Sequence, residues 1–383
     1  MGRIVQLGSI MENEFDVSYL SVDSVQEGVG SSQISPLIFK LAEMGLKVCL
    51  ITFEKNAPSI EMSDKYRAAG IHWIPKEFGE IGAIGGLKRL HVLRRSIPIS
   101  KIVHGRSDIA TCAAILNSEF ASVLWDVRSL WSDQRLSIGT AGWNAMTARG
   151  ARTLENICAN RAVAMSTLTH AVVPILENRH KILPKIRDVV PTCVRTDVFK
   201  LTTMPRGQIS CLISGTYNNY YDLERTREII LQLKKSIDIK VIWARPGESP
   251  NLTLGVGEDE IIEVEYASMP EIIGQSHFGI AICREDDQIS LTAAVPTKVA
   301  EFLSIGRPMI LSRGIGDLDN LIDNAKTGVI VGKNDSLIDI ANRVVSLISD
   351  KETPDRCRKL AEDYFSFDTA IQKYLALYKK MIP

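Results

Sequence analysis

Short uninterrupted apolar runs alternate along the chain with longer stretches in which apolar residues recur at helical spacing. Such runs read as strands covered on both faces, and the periodic stretches between them as helices. Asp16–Val22 and Val48–Phe53 are the first two predicted strands. Between them Ile34, Leu37, Ile38, Leu41 and Met44 mark a helix that Gly45 stops. Gly28-Val29-Gly30-Ser31-Ser32 joins strand to helix, so the segment is a βαβ unit of a parallel sheet. Ile71–Ile74, Ile102–His104, Ser122–Asp126 and His170–Pro174 read as further strands, with helices at Ala110–Asn117 and Thr147–Ser166. Met1–Ile10 is also strand-like, without a clear place.

A second series starts near residue 188. Its strands are Asp188–Pro191, Gln208–Ser214, Ile239–Ala244, Ile261–Tyr266, Phe278–Cys283, Pro308–Leu311 and Gly328–Val331. Its helices are Asp222–Lys235, Pro270–Ser276, Lys298–Ile305 and Leu337–Ser349. Two α/β series of similar size predict two Rossmann-like, doubly wound domains facing each other across a cleft, residues 1–187 and 188–364.

Composition narrows the function. The 383 residues are 45% hydrophobic and 23% charged, as in a globular protein of more than one domain. Lys+Arg and Asp+Glu are both 45, and a chain with no basic excess is a poor nucleic-acid binder. No apolar run is long enough to span a bilayer, and the start lacks a signal-peptide core. The seven cysteines are scattered and never CxxC, which fits a cytoplasmic chain with neither disulfide framework nor metal site. Between Glu80 and Asp108 there is no acid, but Lys88, Arg89, Arg94, Arg95, Lys101 and Arg106 alternate with Leu87, Leu90, Val92, Leu93 and Ile97. The basic 86–106 segment is either a peripheral membrane contact on the inner face or a solvated helix whose apolar stripe packs on its own sheet.

Ligands of doubly wound sheets bind at the C-terminal strand ends, so the loops there are the candidates. Gly28, Gly30 and Ser31 open a helix whose N-terminus suits an anion, although the loop is not GxGxxG and Glu54 is the nearest acid to a ribose carboxylate. His104 and Arg106 emerge together at the end of one strand and can orient a sugar or a phosphate. Asp126, Arg128, Trp131, Asp133 and Arg135 cluster after the next; they bind hydroxyls, or they are local ion pairs. The fourth loop is the most informative. Pro296-Thr297 starts a helix with Thr297 as its N-cap. The Thr297 and Lys298 amides and the Lys298 ammonium would meet a diphosphate there, and the Glu301 carboxylate would accept two ribose hydroxyls.

Pro296-Thr297-Lys298-Val299-Ala300-Glu301-Phe302, followed by Gly306-Arg307-Pro308, resembles the donor-site signature of the family-four, GT-B-fold retaining glycosyltransferases. Val190–Phe199 is similar to the segment that opens that family's second domain. Ser214-Gly215-Thr216 and Gly28–Gln33 look like its two glycine loops. His104–Ser107 and Asp126–Arg128 resemble its acceptor-side loops, and Phe365–Tyr378 its final helix, so that 365–383 would pack back on the first domain. These segments, in the family's order, cover nearly the whole chain.

The resemblance implies metal-independent, cofactor-free hexosyl transfer from a UDP- or GDP-type sugar, with retention of configuration. The acceptor would be a carbohydrate, a lipid-linked sugar or a small molecule, in the synthesis of surface polysaccharide, glycolipid or glycosylated metabolite. Donor binding would fall to Gly28, Gly30, Ser31, Gly215, Thr216, Tyr266, Ser290, Pro296, Thr297, Lys298 and Glu301, and acceptor binding to Arg106, Asp126, Arg128 and Asp133. His104, Lys298, Glu301 and Arg245 would be the catalytic groups. Two departures stand out. Ala293 takes the place of an acid eight positions before Glu301, and the usual Arg/Lys pair after Gly215 is missing, so that Arg245, Arg284 or Arg313 would supply the cation. They leave open a catalytically silent GT-B partner or regulator. A nucleotide-sugar epimerase would need more cleft histidines than the one, His104, that is well placed.

Overall fold

A computed structural model describes residues 15–117, 122–138, 142–215, 220–245, 255–256, 259–284 and 289–382. Met1–Ile10 and Thr216 lie outside them. The first sheet holds β1 (Phe15–Leu20), β2 (Val48–Glu54), β3 (His72–Glu77), β4 (Ser100–Arg106), β5 (Ser122–Val127), β6 (Ala164–Thr167) and β7 (Ile186–Val189). Their order is β3-β2-β1-β4-β5-β6-β7, and every adjacent pair is parallel. The second holds β8 (Ile209–Ser214), β9 (Ile239–Arg245), β10 (Asp259–Glu263), β11 (Phe278–Ala281), β12 (Met309–Ser312) and β13 (Gly328–Val331), in the parallel order β10-β9-β8-β11-β12-β13. The strand order reverses between β1 and β4 and again between β8 and β11. Ligand crevices of open α/β sheets lie at such reversals.

The uninterrupted apolar runs are explained by burial on both faces: every residue of β2 is buried. Two expectations are corrected. His170–Pro174 is not a strand. The strand is β6, and Val173–Arg179 is a helix with Pro174 in its first turn, where the missing N–H costs nothing. Asp188 and Val189 belong to β7, which pairs with β6, so residues 186–189 close the first sheet instead of opening the second.

The chain then crosses back. The helix Thr353–Phe365 buries Cys357, Ala361 and Phe365 in the second domain. Ser366 ends it and caps the next helix, Phe367–Met381, accepting from the Thr369 amide. That last helix buries Phe367, Ile371, Tyr374, Leu377 and Tyr378 against Val17, Tyr19, Ile34 and Ile102 of the first domain. The domains also meet directly. Thr169 and Thr192 donate to the carbonyls of Thr292 and Val295 at 2.6 and 2.7 Å, and Asp317 accepts from the His170 and Ala171 amides. A Cβ on Gly316 would lie 2.5 Å from Thr169 Cγ2, so only glycine permits this approach.

Candidate donor and acceptor cleft

Between the two strand-order reversals lies a cleft of about 340 Å³. Val29, Gln33, Arg106 and Arg128 line it from the first domain, and Tyr221, Ser290, Pro296, Thr297 and Lys298 from the second.

On the second-domain side the helix Thr297–Ile305 begins one residue before the sequence expectation. Pro296 holds the N-cap position and no side chain caps the helix, so Thr297 is its first helical residue, not its cap. The leading amides of a helix have no intrahelical acceptor and favour an anion. Lys298 reaches back from this turn to the end of β8, where Nζ donates to the Ser214 carbonyl at 2.6 Å and lies 4.5 Å from the Tyr221 ring centroid. Gly215 has φ +84°, a conformation that favours glycine, and sits beside the Lys298 ammonium. One turn on, Glu301 is buried and accepts from Tyr266 Oη at 2.9 Å. Burial pushes its carboxyl up to about 6, against the opposing pull of that hydrogen bond and of Lys298. Ser290 lines the cleft, buried, and its Oγ has no hydrogen-bond partner. Arg245 ends β9 with its guanidinium 4.0 Å from the Trp243 ring centroid, and it is not among the residues lining the cleft.

On the first-domain side the glycines play a different part from the one expected. A Cβ on Gly30 would fall 1.7 Å from the Ser24 carbonyl oxygen, so its smallness serves the chain's own turn. Gly28 has φ +55°, and its carbonyl accepts from Ser31 Oγ. Neighbouring Val29 is the loop residue that lines the cleft. Glu54 accepts from Ser24, Gln26 and Thr52 side chains and from the Val25 amide, which occupies it in holding this loop.

His104, expected as a catalytic group, is not among the residues that line the cleft. It lies on the central strand β4, wholly buried under the last helix, with Nδ1 2.7 Å from Tyr378 Oη and Nε2 3.3 Å from Asp126 Oδ2. Burial lowers its pKa, so the imidazole is neutral and closed off from the cleft. Asp126 is equally buried. It accepts from Ser166 Oγ and pairs with Arg128 Nε at 2.8 Å, and that guanidinium holds its carboxyl well below the usual range. Asp133 is engaged elsewhere, bidentate with Arg179 at 2.7 and 2.9 Å. Asp126 and Asp133 are held in these ion pairs and do not line the cleft, while Arg106 and Arg128 do. Ala293 is buried in the cluster of Trp125, Val172 and Leu176 and is not among the residues lining the cleft.

Sequence reasoning missed Gln33, Thr192 and Tyr221. Gln33 forms a pair of hydrogen bonds with the Cys193 backbone, tying the glycine loop to the interdomain segment. An isolated polar residue in a helical pattern gave no sign of this.

No family model matches the chain, and no curated protein matches it by sequence. Solved structures do. Sucrose-phosphate synthase from Thermosynechococcus elongatus superposes with a TM-score of 0.71 at 13% identity, over 95% of this chain and 98% of that one. A glycosyltransferase from Rickettsia africae gives 0.69 at 16%, over 95% and 98%. Anabaena HepE, in complex with UDP-glucose, gives 0.67 at 10%, over 96% and 100%. The fold is GT-B. Each likeness runs over both domains, covering 95% or more of this chain.

Proposed function

We propose that the protein is a retaining glycosyltransferase that uses a nucleotide-diphospho-sugar without a metal. The observation that carries the reading is the helix start that brings Pro296, Thr297 and Lys298 to a cleft between two strand-order reversals, with Glu301 buried one turn on against Tyr266. In this account Glu301 accepts the ribose hydroxyls in place of Tyr266. The Thr297 and Lys298 amides and the Lys298 ammonium face the diphosphate, and Gly215 and Ser290 adjoin the donor. The acceptor hydroxyl attacks the anomeric carbon on the face the diphosphate leaves. The new C–O bond forms as the bond to the diphosphate oxygen breaks, and the hydroxyl proton departs with that oxygen. Stabilisation of the developing negative charge by fixed dipoles and cations supplies most of the rate. Neighbours of this fold include a UDP-glucose complex, which supports a donor of that kind.

Incubation with UDP- and GDP-sugars in the absence of acceptor tests this. Slow hydrolysis should release the sugar first as the donor's own anomer by NMR, and Lys298→Met should abolish the signal. Release of the opposite anomer would refute retention. A catalytically silent partner is the second reading, favoured by Ala293, whose buried position supplies no acid to the sugar.

We also propose a peripheral membrane contact on the cytoplasmic face. The helix Gly82–Ser96 leaves Ile84 and Leu87 exposed beside exposed Trp143 and Met146, around an apolar groove of about 280 Å³. Arg94 and Arg95 on the same helix suit anionic lipid. The stripe is only partly used internally: Leu93 is buried, while Arg89 turns inward to the Phe78 and Glu80 carbonyls. No described helix is long and apolar enough to cross a membrane.

A further inference from the structure

After Gly215 the sequence runs Thr216-Tyr217-Asn218-Asn219-Tyr220-Tyr221 to Asp222 without a basic residue. Among the described residues Lys298 is the one cation that the second domain brings to the cleft. A lysine carries its charge on a flexible four-carbon stem, and a charge lowers a barrier most when it is fixed before the reaction begins. Something must therefore hold this ammonium in place.

Two groups do so. The Ser214 carbonyl accepts from Nζ at 2.6 Å, which takes one of the three N–H donors of the ammonium. The Tyr221 ring stands on another side, its centroid 4.5 Å from Nζ, within reach of a cation–π attraction. A Cβ on Gly215 would lie 3.7 Å from the same nitrogen, so glycine there leaves that side of the ammonium open. Tyr221 is itself fixed from both directions along the chain. It bridges Cys283, just past β11, and the Tyr220 carbonyl accepts from the Arg284 amide. On the other side the Asp222 amide donates to the Ile282 carbonyl, and the Asp222 side chain caps the helix Leu223–Ser236, accepting from the Arg225 amide at 2.9 Å. The ring packs on the core of the second domain and lines the cleft.

We propose that Tyr221 is a positioning residue, whose ring holds the Lys298 ammonium where the departing diphosphate meets it. This rests on the glycosyltransferase reading above. An aromatic wall built into the strand ends thus steadies the single lysine in a loop that carries no cation of its own. The ring adds little to donor binding, and its effect falls on the step in which negative charge develops.

The test reads placement and turnover separately. In protein made with isotopically labelled lysine, the Lys298 Hε resonance is identified by its loss in Lys298→Met. It should lie upfield of the ordinary lysine position, because an aromatic face shields what stands over it. It should return to that position in Tyr221→Leu and stay shifted in Tyr221→Phe. With a UDP- or GDP-sugar as donor, Tyr221→Leu should lower kcat about tenfold and leave KM within about twofold of the wild type. Tyr221→Phe, which keeps the ring, should restore most of the rate. In the Lys298→Met background, followed with radiolabelled donor, Tyr221→Leu should cost nothing further, whereas a merely structural tyrosine would lower both backgrounds alike. The proposal is overturned if the Lys298 resonance is unshifted in the wild type or indifferent to Tyr221→Leu. It is equally overturned if Tyr221→Leu turns over like the wild type, if Tyr221→Phe falls as far, or if the loss is as large without Lys298 as with it. A shifted resonance that Tyr221→Leu releases, with no turnover of any nucleotide-sugar, would uphold the placement of Lys298 and refute the transferase reading alone.

Discussion

Glu301 is held at a cost, and the sign of that cost can be measured. Its folded pKa of about 6 lies above the ordinary 4.5, so the folded protein grips the proton more tightly than the unfolded chain. The resulting stability is complete below about pH 4.5 and is lost as pH rises through about 6. At pH 8 the ionised group disfavours the fold by about 2 kcal/mol. Glu301→Gln should therefore be the more stable protein in urea titrations at pH 8, and the gap should close at pH 4.5. The same variant should bind nucleotide about tenfold to a hundredfold more weakly, because a charge-assisted hydrogen bond contributes about 1.5–3 kcal/mol. Wild-type affinity should likewise fall as pH drops below about 6. Lys298→Met should lower turnover by about a hundredfold or more while changing nucleotide affinity much less. These two residues were legible in the sequence because their spacing puts both on the first turns of one helix. His104 was not: nothing local reveals that a helix some 270 residues later closes over it. Arg106 was legible as a residue at a strand end, and it does line the cleft.

The last helix is the element on which the first domain most depends. It contributes seven buried side chains to the core around β1 and β4, and each large apolar one is worth about 1.5–3 kcal/mol. Their sum exceeds the stability of most domains, so a chain ending at residue 365 should fail to give a cooperative melt. Beneath that helix, Tyr378→Phe removes the partner of His104 Nδ1 and should cost about 1–3 kcal/mol. Asp126→Asn leaves the buried Arg128 cation unpaired and should cost about 3–5 kcal/mol, read by urea denaturation. If either variant matches the wild type, the network does not secure the helix. Most strands were legible because parallel strands are apolar throughout. The misreading at His170–Pro174 has a local cause: β-branched valines before a proline fit a strand as well as a helix start. The edge strand β7 was assigned to the wrong domain because pairing with β6 leaves no mark in its composition.

At the scale of the whole molecule, two facing sheets of the same winding account for the cleft, and the alternation of strand and helix sufficed to foresee both. The boundary between them could not be foreseen, since the linking segment is itself buried and hydrogen-bonded to both domains through Gln33 and Val295. The exposed groove of the first domain predicts a surface behaviour. Wild type should float with phosphatidylglycerol vesicles and not with phosphatidylcholine, and Leu87→Glu should abolish flotation without altering the melt. Equal flotation of the variant would refute the membrane contact. The central claim is the donor site, and calorimetric titration with UDP, GDP and their sugar conjugates tests it most directly. The account predicts binding selective for one base and weakened at least tenfold in Glu301→Ala. No binding by any nucleotide, or unchanged affinity in that variant, would contradict it.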